Sequence, residues 1–106
     1  MQNAVEEYAK LFTHFLEMAG IKSGQMFGKA CITVYGKAFV AQHQEWVVSK
    51  LTGEHHRTAL GLAGAALWDP SGEGRPMKEW VAIPATAHKH FPQLARASCD
   101  YVSAGR

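Results

Sequence analysis

The sequence predicts a two-layer α+β domain, in which an antiparallel sheet of about five strands packs against helices. Three observations predict this fold class. Apolar residues recur at helical spacing near both ends of the chain, the middle alternates apolar and polar residues as a strand does, and the length of 106 residues suits one domain. The predicted order is α-βββ-α-ββ-α, and residues 1–106 are expected to form a single domain.

The first helix is predicted over residues 3–19. Asn3 can accept a hydrogen bond from a first-turn amide, and Gly20 can adopt the left-handed conformation that ends a helix. The polar positions are expected to face water: Glu6, Glu7, Lys10 and Glu17. The apolar positions lie on one helical face and are expected to form core: Val5, Tyr8, Leu11, Phe12, Phe15, Leu16 and Ala19.

A hairpin is predicted to follow a linker over residues 21–25. Residues 30–35 and 38–41 alternate as two strands, and the turn between them is centred on Gly36-Lys37, since two-residue turns favour glycine first. Residues 46–51 are rich in β-branched and aromatic side chains and are predicted as a third strand. The three strands form an antiparallel meander.

The second half of the chain is predicted to alternate helix and strand. A short helix over residues 53–62 is capped by Thr52, and a brief strand covers residues 65–68. After a loop over residues 69–76, a strand over residues 80–83 stops at Pro84, because proline cannot donate to a ladder. We expect this strand to be an edge of the sheet. A last helix is predicted from Pro92 to Ser103.

Charge and hydropathy exclude some classes of partner. The 11 basic and 9 acidic residues give a net charge of +2, well below the basic excess of a dedicated nucleic-acid binder. Stacking on single strands would need Tyr35, Phe39 and Trp46 to share an exposed face among cations, so direct nucleic-acid binding is not expected. Without a long apolar segment or a basic amino-terminal leader, the chain is expected to be cytoplasmic and to lack membrane contact.

No catalytic or metal-binding pattern is present in the sequence. Cys31 on a predicted strand and Cys99 in a predicted helix are expected to be reduced thiols, away from the helix starts that stabilise thiolates. His55 and His56 are adjacent and diverge on a helix. His88 and His90 converge on one metal only from a strand. We therefore expect no enzyme activity, no metal and no cofactor.

The run from Gly74 to Pro84, with Gly-Arg-Pro-Met-Lys-Glu-Trp-Val-Ala-Ile-Pro, is similar to a signature of the amino-terminal domain of the TfoX/Sxy competence regulators. Met26-Phe27-Gly28, the hairpin over residues 34–39 and the closing helix stand in the same order, so the resemblance covers residues 22–103. It implies an α+β domain and a part in transcription regulation with a cyclic-AMP receptor protein. Because the chain stops at Arg106, it implies a stand-alone copy without the carboxy-terminal domain. The small MmcQ/YjbR-like family is an alternative relative.

The start of the last predicted strand is the candidate partner-binding site: Arg75, Met77, Lys78 and Trp80. Two cations there flank a proline-stiffened turn beside an aromatic ring, which is typical of interface anchors. An alternative gives these residues structural roles, with Arg75 paired to Asp69 or Glu73. We predict a non-enzymatic interaction module that binds a protein partner or a second copy of itself. The alternative function is small-ligand binding or weak catalysis in a cleft at Arg75 and Lys78.

Overall fold

The first element of the structure is the helix α1 (Ala4–Phe15), at the predicted position. The computed structural model describes residues 3–74 and 76–104. Asn3 Oδ1 accepts a hydrogen bond from the Glu6 amide at 2.8 Å, which confirms the predicted cap. The helix ends four residues before the predicted Ala19. Its buried stripe includes Glu7, which is only 6% exposed, so the prediction that Glu7 faces water is wrong.

One antiparallel sheet forms the second layer and contains six strands, one more than predicted. The strands are β1 (Ile21–Met26), β2 (Lys29–Val34), β3 (Lys37–His43), β4 (Trp46–Lys50), β5 (Ala66–Trp68) and β6 (Met77–Pro84). Across the sheet they are ordered β1-β2-β3-β4-β6-β5. Strand β6 therefore lies between β4 and β5, and the prediction that it is an edge is wrong, because β5 pairs along its outer side.

The additional strand, β1, occupies the segment predicted as a linker. It pairs with β2 over its full length, from Ile21 opposite Val34 to Met26 opposite Lys29. None of its residues is buried, so its sequence carries no apolar alternation. β1 is a strand because it pairs with β2. The order of elements along the chain is therefore α-ββββ-α-ββ-α.

The turn between β2 and β3 is centred one residue before the predicted position. Tyr35 has a φ of 51° and Gly36 a φ of 83°. Two successive positive φ values are typical of a type I′ turn, whose twist matches that of the flanking strands. Gly36 is therefore the second central residue of the turn, and Lys37 begins β3.

Helices cover one face of the sheet, which we call the front face. They are α1, α2 (Gly53–Leu60) and α3 (Phe91–Ala104), and a 3-10 segment (Ala85–His90) leads into α3. Thr52 occupies the cap position of α2, but its side chain makes no capping hydrogen bond. The front core includes the fully buried Phe15 and Phe39, whose rings meet edge to face at 5.3 Å. None of the helices within the described residues combines the length and apolar character needed to span a bilayer.

The opposite face of the sheet carries a second apolar core, which we call the back cluster. Its buried members are Cys31, Ala41, Val48, Trp68, Trp80 and Ala82. Met26, Met77, Trp46 and Ala38 pack around them. The sheet curls over its back face, since Phe27 at the end of β1 contacts Trp68 on β5, although β1 and β5 are the two outermost strands.

Candidate interaction site

The start of β6 carries three of the four residues predicted to bind a partner. Arg75 lies outside the described residues. β5 pairs with β6 at Leu67 and Val81, and the next pair is Trp68 with Met77, so residues 78–80 form an irregularity in the strand. This irregularity lets Met77 and Trp80 both join the back cluster, three positions apart, while Lys78 is exposed.

The Trp80 side chain is 6% exposed, which differs from the expectation that its ring is offered to a partner. Its ring centroid lies 5.7 Å from that of Trp68, in a tilted contact inside the back cluster. Trp80 lies on the back face because it alternates regularly with Val81, which faces the front core, and shares its face with Ala82; the irregular pairing instead brings Met77 onto that face. Its role at the site is to support Met77, which packs against the same cluster.

His43, at the end of β3, belongs to the same aromatic group. The indole Nε1 of Trp68 donates a hydrogen bond to His43 Nδ1 at 2.9 Å. The accepting nitrogen must be unprotonated, so the neutral ring carries its proton on Nε2. Burial, and then the positive charge of Lys29, lower the pKa of His43. The Trp68 hydrogen bond therefore depends on a neutral histidine.

A groove of about 360 Å³ lies beside Met77, and we call it the Met77 groove. It is lined by Phe27, Pro70, Ser71 and Met77. Phe27 is 61% exposed, and its ring meets that of Trp68 edge to face at 6.1 Å. The groove thus brings together the turn after β1, the loop after β5 and the start of β6.

The loop that supplies Pro70 is held by a single carboxylate. Asp69 accepts hydrogen bonds from Ser71 Oγ and the Gly72 amide, both at 3.0 Å, and from the Gly74 amide at 2.8 Å. Such a ring of bonds from an aspartate to following amides fixes a turn. The Asp69 carboxylate thus has an identified structural role in shaping one wall of the Met77 groove.

Polar contacts fix the backbone beside Lys78. His56 Nε2 on α2 lies 2.7 Å from the Lys78 carbonyl oxygen, so that α2 is tied to β6. Tyr101 donates a hydrogen bond to Glu79 Oε2 at 2.5 Å, and this bond raises the pKa of Tyr101. The Glu79 carboxylate also lies 3.9 Å from Lys50 Nζ. No carboxylate in residues 3–74 or 76–104 pairs with the ammonium group of Lys78.

A second cleft, of about 460 Å³, lies between α1 and the start of α3 and was missed at the level of sequence. Its central group is the buried Glu7 carboxylate, whose Oε1 lies 3.2 Å from Lys10 Nζ and 3.8 Å from His88 Nδ1. His14 and Lys89 also line it. The spacing of Glu7, Lys10 and His14 along one face of α1 was the available signal, but their distant partner His88 could not be placed from sequence.

The cysteines and histidines do not assemble into a metal site in the part of the chain that the structure describes. Cys31 and Cys99 are both free and buried, as expected. Burial raises the pKa of each thiol, which favours the thiol over the reactive thiolate.

The aromatic residues considered for stacking on nucleic acid do not share a face. Phe39 is fully buried in the front core. Tyr35 is 47% exposed in the β2–β3 turn, and Trp46 packs at the rim of the back cluster. The platform of adjacent exposed rings that stacking requires is therefore not formed by these three residues.

Comparison with known proteins adds no relative at this point. No family model, curated protein or solved structure matches the chain. The resemblance to the TfoX/Sxy amino-terminal domain therefore stays a prediction based on the residues quoted above.

Proposed function

We propose that the chain is a non-enzymatic interaction domain that binds a protein partner through the Met77 groove and Lys78. The resemblance to TfoX/Sxy regulators suggests an accessory role in transcription regulation. One observation carries the proposal: three separate segments converge so that Phe27, Pro70 and Met77 line one groove, and the residue that follows Met77 is the exposed Lys78. Apolar side chains form the centre of a typical interface and polar or charged groups its rim, so Phe27, Pro70 and Met77 fit the centre and Lys78 fits the rim.

The groove is built before a partner arrives. Asp69 fixes the loop that carries Pro70, and Trp68 supports the Phe27 ring from below. A surface that is already ordered loses little conformational freedom on binding, so more of the contact energy appears as affinity. Lys78, which follows Met77 in the chain, favours a partner segment that has an apolar anchor flanked by carboxylates.

Selection from a library of short random peptides tests this proposal. We expect the purified protein to enrich peptides with an apolar anchor and neighbouring acidic residues, and their binding to shift amide resonances around Met77 in NMR spectra. The double variant Met77→Ser with Lys78→Glu should weaken binding at least about tenfold, which corresponds to about 1.4 kcal/mol.

A matched control makes the same chemical changes elsewhere. Val5 is 61% exposed on α1, and Lys89 is exposed before α3. The double variant Val5→Ser with Lys89→Glu should bind the peptides as the unaltered protein does. Peptides that bind but map to another surface, or that bind both double variants equally, would contradict the proposal.

The regulatory part of the proposal has its own test. The resemblance implies a cyclic-AMP receptor protein as partner, so the purified receptor with cyclic AMP can be titrated by calorimetry. We expect binding that the Met77→Ser and Lys78→Glu changes abolish. If the receptor does not bind while the peptides do, the interaction domain stands and this regulatory role is lost.

A second candidate, small-ligand binding, is favoured by the cleft at Glu7; the predicted cleft at Arg75 and Lys78 stays a prediction, since Arg75 lies outside the described residues. Two lysines and two histidines surround one buried carboxylate there, with Phe91 and Pro92 as apolar walls. Small organic anions with an apolar body fit this lining. In a thermal-shift screen of aromatic and aliphatic carboxylates, a binder should raise the melting temperature, and Lys10→Ala should remove the rise. A shift that survives this change would place the ligand elsewhere.

A further inference from the structure

The two edges of the sheet differ in how well they are protected against pairing with another strand. β5 has three residues, an irregular register and a following loop that begins Asp69-Pro70. β1 has six residues, no proline, and one charged residue, Lys22. Natural proteins shield edge strands with charges, prolines, bulges or short length, and β1 has only the one lysine. Its outer backbone groups are therefore open to a further strand.

Within the described part of the chain, neither the backbone conformation of Gly24 nor the space around it requires a glycine in the middle of β1. Its φ is not positive, and an added Cβ would lie 3.4 Å from Thr33 Cγ2 and 3.5 Å from Cys31 Sγ, which are ordinary contacts. Glycine weakens a strand interior, and it often marks a point where another backbone comes close. The close approach of a second backbone along the open edge of β1 would explain the glycine at position 24.

Exposed apolar side chains stand at both ends of β1. Phe27 follows its last residue and is 61% exposed. At its first residue, Ile21 is partly buried against the front core, and Tyr35, which follows the partner residue Val34, is 47% exposed. The Tyr35 amide donates to the Gly20 carbonyl at 2.9 Å, which fixes this end. An antiparallel copy of β1 would bring each end against the opposite end of its partner, and would bury both apolar groups twice.

Symmetry restricts the register. Two copies of β1 in one continuous antiparallel sheet are related by a twofold axis perpendicular to the sheet, so one residue must face its own equivalent. An axis at Lys22 would set two ammonium groups against each other. An axis at Ser23 would leave Phe27 beyond the paired residues. An axis at Gly24 places Phe27 beside Ile21 of the second copy, Ser23 opposite Gln25, and Lys22 opposite Met26.

We propose that the chain forms a homodimer by antiparallel pairing of β1 with β1 of a second copy, centred on Gly24. This inference rests on the proposed interaction function, because it names a second copy as one partner of the domain. The main-chain hydrogen bonds supply the ladder, and the exposed Phe27 of each copy supplies apolar burial at each end. The result is a continuous sheet of twelve strands, twice the six in each chain.

Charge pairs at Ser23 and Gln25 test the register without altering the fold. Both are exposed, and their neighbours on β2 are the uncharged Ile32 and Ala30. The variant Ser23→Lys with Gln25→Lys sets like charges opposite each other twice in the dimer. The variant Ser23→Glu with Gln25→Lys sets opposite charges there. Sedimentation equilibrium over a concentration series should show weaker dimerisation for the first, by about tenfold, and tighter dimerisation for the second.

Controls separate this inference from the proposed function. Val5→Lys, at a site on α1 that is also exposed, should leave the dimer constant unchanged, and circular dichroism should show the native spectrum for every variant. Met77→Ser with Lys78→Glu should abolish peptide binding yet keep the dimer. A strictly monomeric protein at high concentration would overturn the inference, as would a dimer that responds equally to both charge pairs. Either outcome leaves peptide binding at the Met77 groove intact.

Discussion

A single buried hydroxyl joins α3 to the sheet, and its removal should cost a large part of the stability. Ser98 Oγ donates to the Phe39 carbonyl at 2.6 Å and accepts from the Lys50 amide at 3.1 Å. Phe39 and Lys50 are the next residues beyond the pair Val40 and Ser49 in the β3–β4 ladder. The hydroxyl therefore takes the place of a direct hydrogen bond between the Lys50 amide and the Phe39 carbonyl, and Ser98 is completely buried.

The expected cost follows from the two backbone groups that Ser98→Ala leaves without a partner. An unsatisfied buried donor or acceptor costs about 1–3 kcal/mol. The Phe39 carbonyl is buried and the Lys50 amide partly so, which gives a combined loss of about 2–4 kcal/mol in the free energy of unfolding. That is a large share of the roughly 5–15 kcal/mol that a domain possesses.

Urea unfolding followed by tryptophan fluorescence and by circular dichroism measures this loss. The transition midpoint should fall while the slope stays constant, because the same surface is exposed on unfolding. Ser103→Ala, on the same helix at a half-buried position, should change stability by less than about 0.5 kcal/mol. A loss below about 1 kcal/mol for Ser98→Ala would show that the Phe39 carbonyl and the Lys50 amide bond directly when the hydroxyl is gone, and would refute the reasoning.

Two further predictions concern protonation and a close glycine contact. The pKa of His43 lies below its unfolded value of about 6.5, so the unfolded chain binds the extra proton first. Stability should therefore be constant above that value and decrease as the pH falls towards the lowered pKa. His43→Gln, which keeps an acceptor for Trp68, should reduce this decrease in urea titrations, and an unchanged slope would contradict it. At Gly20, with φ +84°, an added Cβ would lie 2.7 Å from Tyr35 Cε1, whereas at Gly36, with φ +83°, it meets nothing within 4 Å. Each alanine substitution should cost about 1–2 kcal/mol through the backbone, with a further loss for Gly20→Ala alone. Equal losses in calorimetry would show that Tyr35 simply moves aside.

Local patterns were enough to predict most elements of the fold. The cap at Asn3, the strands around residues 30–41 and the final helix each depend on neighbours within a few positions, which a sequence displays directly. β1 could not be predicted, because its residues are exposed and its only support is the ladder with β2. The place of β6 inside the sheet depends on where β5 pairs, which local patterning does not reveal.

The candidate site was predictable in part for the same reason. Met77 and Lys78 could be singled out from the composition of one short segment. Phe27 joins them only because the sheet closes over its back face, and Glu7 is buried only because of the rotation of α1 against the sheet. Trp80 was assigned to the candidate site because an aromatic ring beside two cations is typical of interface anchors. The structure has two cores, one on each face, and the second uses both Trp68 and Trp80.

The second core also decides where this chain can bind other molecules. With helices on the front face and the back cluster buried by the curl of the sheet, three of the four large apolar side chains that are exposed among the described residues lie at turns or at a helix end: Leu16, Phe27 and Tyr35; the fourth, Val5, lies on α1. Phe27 stands at both proposed surfaces, since it lines the Met77 groove and ends the open strand β1. A second copy that covers Phe27 removes apolar area from the groove, so self-association and peptide binding oppose each other. By reciprocity of binding free energies, a peptide that weakens the dimer must bind the monomer more tightly by the same factor.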